Sequence, residues 1–198
     1  MKVIFITGSP GVGKSTLATR LATAINARKL NLGQLALREK LLIGYDRERR
    51  CPIIDVDRVG SHLRRVVEED GSAVYLVAEG HFLVKLPRRL VERIFLLRCH
   101  PLELRKRLLK KGYGAHKVLE NMWAEILDYS LIEAVDLYGS KKIHEVDTTG
   151  REVDEVVEEI LAVLKSDRKP SVGKLDWLKV LEAEGELEKL LAERARLQ

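Results

Sequence analysis

The sequence predicts an α/β protein built on one parallel five-stranded sheet with helices on both faces. Three observations carry that expectation. Apolar residues fill successive positions in short runs at 2–7, 73–78 and 94–97, as strands buried on both faces require. Between these runs the apolar residues recur at helical spacing. Strand and helix patterns alternate along most of the 198 residues, which suits one domain with an appendage.

The first strand covers 2–7 and meets Gly8. A helix is expected over 15–27, with Leu17, Leu21, Ala24 and Ile25 on one face. Residues 28–31 read as a short strand and 32–42 as a helix. Gly44-Tyr45-Asp46 and Cys51-Pro52 mark a loop. Asp57 is placed to cap a helix that runs to about Asp70, with Val59, Leu63, Val66 and Val67 inward and Gly71 as its stop.

A second buried strand over 73–78 ends at Glu79. Pro87 opens a short helix, and 93–98 form the next strand. Pro101 suits the first turn of another helix, which Gly112-Tyr113-Gly114 breaks. One long helix is expected over 117–138, with Val118, Met122, Ile126, Tyr129 and Val135 on one side. Residues 142–146 are the last strand, and Thr149 caps a helix over 151–166. Residues 167–173, with Pro170 and Gly173, read as a linker. The remaining 175–197 read as a charged helix or helix pair interrupted at Gly185.

A hydrophobic share of 45% is enough for a packed core and excludes a mainly disordered chain. No apolar run reaches the roughly 18 residues of a membrane span, and the apolar start is too short for a secretory signal. A cytoplasmic protein without a membrane partner is therefore expected. Cys51 and Cys99 stand far apart, which excludes a disulfide scaffold or a cysteine zinc site. The net charge of +5 is concentrated in the body. Lys85, Arg88, Arg89, Arg93, Arg98, Arg105, Lys106, Arg107, Lys110 and Lys111 face only Glu92 and Glu103 there. Such a block suits phosphate or RNA, although most of its members are expected to be solvated.

Gly8-Ser9-Pro10-Gly11-Val12-Gly13-Lys14-Ser15 matches G-x-x-x-x-G-K-[ST] in full, between a buried strand and an amphipathic helix. Glycines let successive N–H groups curl around one anion, and the helix adds its positive end. Lys14 reaches the outer phosphates and Ser15 offers a hydroxyl to Mg²⁺. The fold expected is thus a P-loop NTPase. No guanine-reading N-K-x-D occurs, and a single small domain with this motif at its start points to small-molecule kinases.

Further segments carry a family resemblance. Gly8 to Thr16, Asn31-Leu32-Gly33-Gln34-Leu35-Ala36 with Gly44-Tyr45-Asp46, Cys51 to Val59, Glu79-Gly80-His81, and Arg107 with Lys110-Lys111-Gly112-Tyr113 resemble the atypical adenylate kinases of archaea and eukaryotic nuclei. These are also described as ATPases of small ribosomal subunit maturation. The likeness covers about residues 1–165.

The resemblance implies a kinase domain over 1–165, with a monophosphate-binding insert over about 31–54 and a short lid over about 110–120. Residues 166–198 stand outside it as linker and C-terminal helical extension. It implies Mg²⁺-dependent conversion of ATP and AMP to two ADP, with ATPase activity, and a basic small-subunit ribosomal protein and pre-ribosomal RNA as partners. The sequence does not decide the oligomeric state; a monomer is favoured. Gly11, Gly13, Lys14, Ser15, Thr16 and Lys111 would bind ATP. Asn31, Gly33, Arg38 and Asp57 would bind the acceptor, and Ser15 with Glu79 would hold the metal. Lys14, Glu79, His81 and Arg107 would be catalytic, with Arg98 a candidate on the core side.

Three positions depart from the family. Gln34 replaces an Asp, Leu37 stands where an acceptor-gripping Arg is expected with Arg38 one place later, and Glu79 replaces an Asp. The first two keep alternatives open: a kinase for another small acceptor, or an ATP-gated assembly chaperone whose phosphoryl transfer is incidental.

Overall fold

The computed structural model describes residues 1–47, 49, 51–70 and 73–196. Its centre is a parallel sheet of five strands in the order β2-β5-β1-β6-β7. These are β1 (Lys2–Thr7), β2 (Arg28–Asn31), β5 (Tyr75–Glu79), β6 (Val91–Arg98) and β7 (Ile143–Asp147). Each neighbouring pair is parallel.

Successive side chains of each strand feed opposite faces. Ile4, Ile6, Phe95 and Leu97 enter one core, under α1 (Lys14–Ala24), α4 (Pro101–Lys110), α5 (Ala115–Ile126) and α7 (Val153–Leu164). Val3, Phe5, Ile94 and Leu96 enter the other, under α2 (Leu32–Arg38), α3 (Val56–Glu69) and α6 (Tyr129–Tyr138). Both faces are dry, which explains the unbroken apolar runs. Removing one such aromatic, Phe95→Ala for example, would cost about 3–5 kcal/mol.

Several local expectations are corrected. The loop expected at 44–46 and 51–52 is instead an antiparallel hairpin of β3 (Leu42–Asp46) and β4 (Cys51–Ile54). Its faces are largely open to solvent, with Ile43, Tyr45 and Ile53 exposed, so no buried face imposed an apolar alternation. The cap of α3 is Asp55, whose carboxylate accepts from the Arg58 N–H at 3.0 Å; Asp57 lies in the first turn instead. Gly71 lies outside the described residues.

The single helix expected over 117–138 is two helices. Asp128 sits at φ 56° between them, and its carboxylate is held by Arg98 from β6. Thr149 does not cap α7. Glu152 does so, in a reciprocal capping box with Glu155. Thr149 instead accepts from the His100 N–H at 2.8 Å.

The extension forms α8 (Trp177–Ala183) and α9 (Leu187–Arg196), with the break at Gly185. Trp177, Leu181 and Leu190 are buried. The segment before it runs along β7: the Glu145 N–H donates to the Ser171 carbonyl and the Ser171 N–H to His144 Nδ1, both at 2.9 Å. Among the described residues, no helix is long and apolar enough to cross a membrane.

Candidate active site

The carboxyl ends of β1, β2 and β5 meet at one place, where an open parallel sheet leaves a crevice. The turn from β1 into α1 holds Gly8, Gly11 and Gly13 at positive φ. At Gly8 the need is steric as well: a Cβ there would stand 2.3 Å from the Leu97 carbonyl oxygen, so only glycine lets the loop lie against β6. Gly13 precedes α1 without a side-chain cap, and the first turn of α1 has no acidic residue. The positive end of the helix is therefore left for an incoming anion.

Lys14 folds back over this turn, and its ammonium donates to the Gly8 and Ser9 carbonyls, both at 2.8 Å. Burial lowers its pKa from 10.5 to about 8; the nearby Lys111 charge acts in the same sense, while Glu79 and Glu125 oppose it. Its two hydrogen-bond partners are neutral carbonyls, so the cation is poorly compensated and suited to a polyanion.

Glu79 ends β5 and is 2% exposed. The sheet register sets it opposite Asn31 of β2. Asn31 Nδ2 donates to Glu79 Oε1 at 2.6 Å, and the Ser15 hydroxyl donates to the same oxygen at 2.9 Å. Asn31 has a second task, since its Oδ1 caps α2 by accepting from the Gln34 N–H at 2.8 Å. Ser15 and Glu79 together form a hard oxygen pair beside the phosphate turn. That donor set fits Mg²⁺, which takes one or two protein oxygens and completes its shell with phosphate and water.

His81 follows on the open wall. Desolvation by its surroundings, then the Lys14 and Lys117 charges, hold its pKa below the ordinary 6.5, against the pull of Glu79. The imidazole is thus neutral at pH 7 and able to accept a proton.

Gly11, Lys14, Ser15, Asn31, Gly33, Glu79 and His81 all line one cavity of about 820 Å³. Gly13, Thr16 and Arg107 lie instead in a smaller pocket of about 180 Å³ with Leu17, Arg151 and Val153. Arg107 is tied there to Glu103 and to the Thr148 carbonyl. Lys111 caps the end of α4, close enough to Lys14 to perturb it.

Of the residues expected to bind the acceptor, two are not brought to the cavity. Arg38 is exposed and pairs with its neighbour Glu39 at 2.9 Å. Asp57 faces a separate depression with Gly60, Arg64 and Lys85. Arg98 is not a phosphate contact either. It is 2% exposed and bonded to Glu125, Asp128 and Glu145. Other members of the basic block are also engaged: Arg89 with Glu68, Arg93 with the Lys141 carbonyl, and Arg105 with Glu193.

The sequence reading missed Arg49 and Lys117 in the cavity wall. Arg49 sits in the hairpin turn and reaches Glu120 of α5 at 3.2 Å, a long-range contact with no local signal. It also missed Asn121 and Glu125, two buried polar residues four apart on α5. Their signal was available: each sits on the face that carries Val118 and Met122.

Comparison with known proteins agrees with this architecture. The model of the AAA domain family matches residues 4–128. A protein of Pyrococcus furiosus named "Putative adenylate kinase" is 38% identical over 182 residues, covering 91% of this chain and 93% of its own. The protein of the same name from Methanocaldococcus jannaschii is 33% identical over 174 residues, covering 88% and 92%. Among solved structures, a gluconokinase from Sinorhizobium meliloti superposes with a TM-score of 0.52 at 19% identity, over 83% of this chain and 92% of that one. A sugar kinase from Janibacter gives 0.54 at 16%, over 83% and 95%. At such identities these two show the fold alone.

Proposed function

From the AAA domain family, to which this chain belongs, we propose a nucleoside monophosphate kinase that converts ATP and AMP to two ADP with Mg²⁺, and that also hydrolyses ATP. The observation that carries the proposal is the convergence of Lys14, Ser15 and Glu79 on one cavity beside the phosphate turn. The names of the archaeal relatives support AMP as acceptor.

In this reading the turn Gly8–Ser15 wraps the β-phosphate with its N–H groups. Lys14 leaves the Gly8 and Ser9 carbonyls and takes the outer phosphates. Ser15 and Glu79 would hold the metal, which would supply neutralisation of the phosphate charge when bound. An AMP phosphate oxygen attacks the γ-phosphorus in line, the bond to the β-γ bridging oxygen breaks, and ADP leaves. Asn31 keeps the Glu79 carboxylate aimed into the cavity. Arg107 and Thr16 border the smaller pocket, beside the turn, where the ATP base would lie. In hydrolysis, water replaces AMP and His81 takes its proton.

The ATPase activity, a basic ribosomal protein, pre-ribosomal RNA and a role in small-subunit maturation enter this proposal through the family resemblance. One observation favours a second reading, an assembly chaperone with incidental transfer: the exposed Arg38 pairs with Glu39 rather than facing the cavity.

The test is to offer MgATP with AMP, CMP, UMP or GMP and follow the diphosphates. AMP is expected to give ADP well above the ATP-only background. A yield no greater than that background overturns the AMP assignment; preference for another monophosphate reassigns the acceptor.

A further inference from the structure

We propose that the C-terminal extension positions the phosphate-binding turn, through Trp177 and Glu125. The Glu125 carboxylate is buried at 2% exposure and has both oxygens engaged. Oε2 accepts from the Ser9 hydroxyl at 2.6 Å. Oε1 accepts from Arg98 Nε at 2.7 Å, from the Trp177 indole N–H at 3.0 Å and from the Cys99 N–H at 3.3 Å. The carbonyl of the same Ser9 receives the Lys14 ammonium at 2.8 Å. A path therefore leads from the extension through α5 to the phosphate lysine: buried hydrogen bonds as far as the Ser9 hydroxyl, then the Ser9 residue itself and the half-buried bond to Lys14.

The indole is itself firmly placed. Asp176 caps α8 by accepting from the Lys179 N–H. The His100 ring meets the indole edge-on at 5.5 Å, and His100 Nε2 bonds Glu184, the residue that caps the end of α8, at 3.1 Å. Arg105 of α4 grips Glu193 with two hydrogen bonds of 2.8 and 2.7 Å. The guanidinium of Arg194 stands 4.8 Å over the Trp123 ring. With the extension docked in this way, Trp177 adds a third donor to Oε1 and narrows the orientations that Arg98, Cys99 and Ser9 would otherwise leave to the carboxylate. A buried carboxylate oxygen that loses a donor reorients toward the donors that remain. Here that movement would draw on Ser9.

Trp177 and Glu125 are positioning residues, since they act through Ser9 and never touch the nucleotide. The inference rests on the phosphate turn being the ATP site, and the test keeps the two apart. Binding of MgATP and of adenosine is measured by calorimetry on the full chain for wild type, Trp177→Phe, Ser9→Ala and the double variant. Phe keeps the ring and removes the indole N–H. Trp177→Phe is expected to weaken MgATP about fivefold and to leave adenosine within about twofold, because only the phosphate contacts are disturbed. In the Ser9→Ala background, Trp177→Phe should add less than about a twofold change, since the path is already cut.

Equal losses for ATP and adenosine, an unchanged ATP affinity, or losses that multiply in the double variant overturn the proposal. Ser9→Ala cuts the path at its other end without touching the extension. Wild-type ATP affinity in that variant overturns it whatever becomes of Trp177→Phe. Failure of the wild type to bind MgATP would instead refute the ATP site itself.

Discussion

The two strands that flank β1 end in buried charge, β6 at Arg98 and β5 at Glu79, and the contrast between their ends separates structure from chemistry. At the end of β6, Arg98 meets Glu125 at 2.7 Å, Glu145 at 2.6 Å and Asp128, with the Glu125 carbonyl behind them at 3.2 Å. Every guanidinium edge has a partner. At the mouth of β1 and β5, among the described residues, the Lys14 ammonium hydrogen-bonds to carbonyls alone, and the Glu79 carboxylate to the neutral donors Ser15 and Asn31. A cation matched in full by carboxylates has nothing left to give a ligand. One matched by dipoles gains when a polyanion arrives.

Four measurements press on this contrast, the largest effect first. Arg98→Ala should destabilise the fold by about 3–5 kcal/mol, because it strands buried carboxylates without their cation. Chemical denaturation reads this directly, and a loss below about 1 kcal/mol would show that the cluster is dispensable.

Lys14→Ala should do the reverse: turnover falls about 10²–10³-fold while the melting temperature holds or rises, since a desolvated ammonium is removed. The pH dependence follows from the same group. The folded protein holds this proton less tightly than the unfolded chain does, so stability rises with pH between about 8 and 10.5. For the unliganded enzyme, kcat/KM for ATP should fall as pH passes about 8. A flat profile to pH 9.5 would count against Lys14 as the phosphate cation.

His81→Ala should lower ATP hydrolysis about 10²-fold and leave ATP affinity within about twofold. The acidic limb of the wild-type profile should lie below 6.5, the ordinary histidine value, because the free imidazole resists protonation. Unchanged hydrolysis in the variant would take His81 out of the reaction. The smallest effect is expected at Arg38, whose exposed pairing with Glu39 contributes little. Arg38→Ala should move the AMP KM less than about twofold. A tenfold rise would mean that the side chain swings into the cavity on binding.

What could be read from the sequence follows the range of the forces involved. The strand, glycine turn and first helix follow from local chemistry and stand as the residues predict, except that α1 stops at Ala24 rather than at 27 and leaves Ala24 exposed. Glu79 was legible because it ends an apolar run. The break at Asp128 was not, because its cause is Arg98, thirty positions away. The same distance hid the true state of Arg98: seven residues of sequence on either side show a strand-end cation, and its carboxylates come from α5, the turn after it and β7. The hairpin over 42–54 escaped because both of its faces meet water in part, which leaves no alternation to detect. Asp55 and Asp57 offer the same cap chemistry two residues apart, and the one that the chain reaches first holds the Arg58 N–H.

The stretch that runs along β7 has a consequence for the life of the molecule in a crowded solution. β7 is an outermost strand, and without a cover one side of its ladder would lie open to any extended chain that drifts past. Ser171 takes the Glu145 N–H, and the Gly173 and Lys174 N–H groups bind the Glu145 carboxylate. The polypeptide thus seals its own sheet margin before a stranger can add to it. Loss of residues 166–198 would remove this guard, and the shortened protein would be prone to stack strand upon strand into insoluble material.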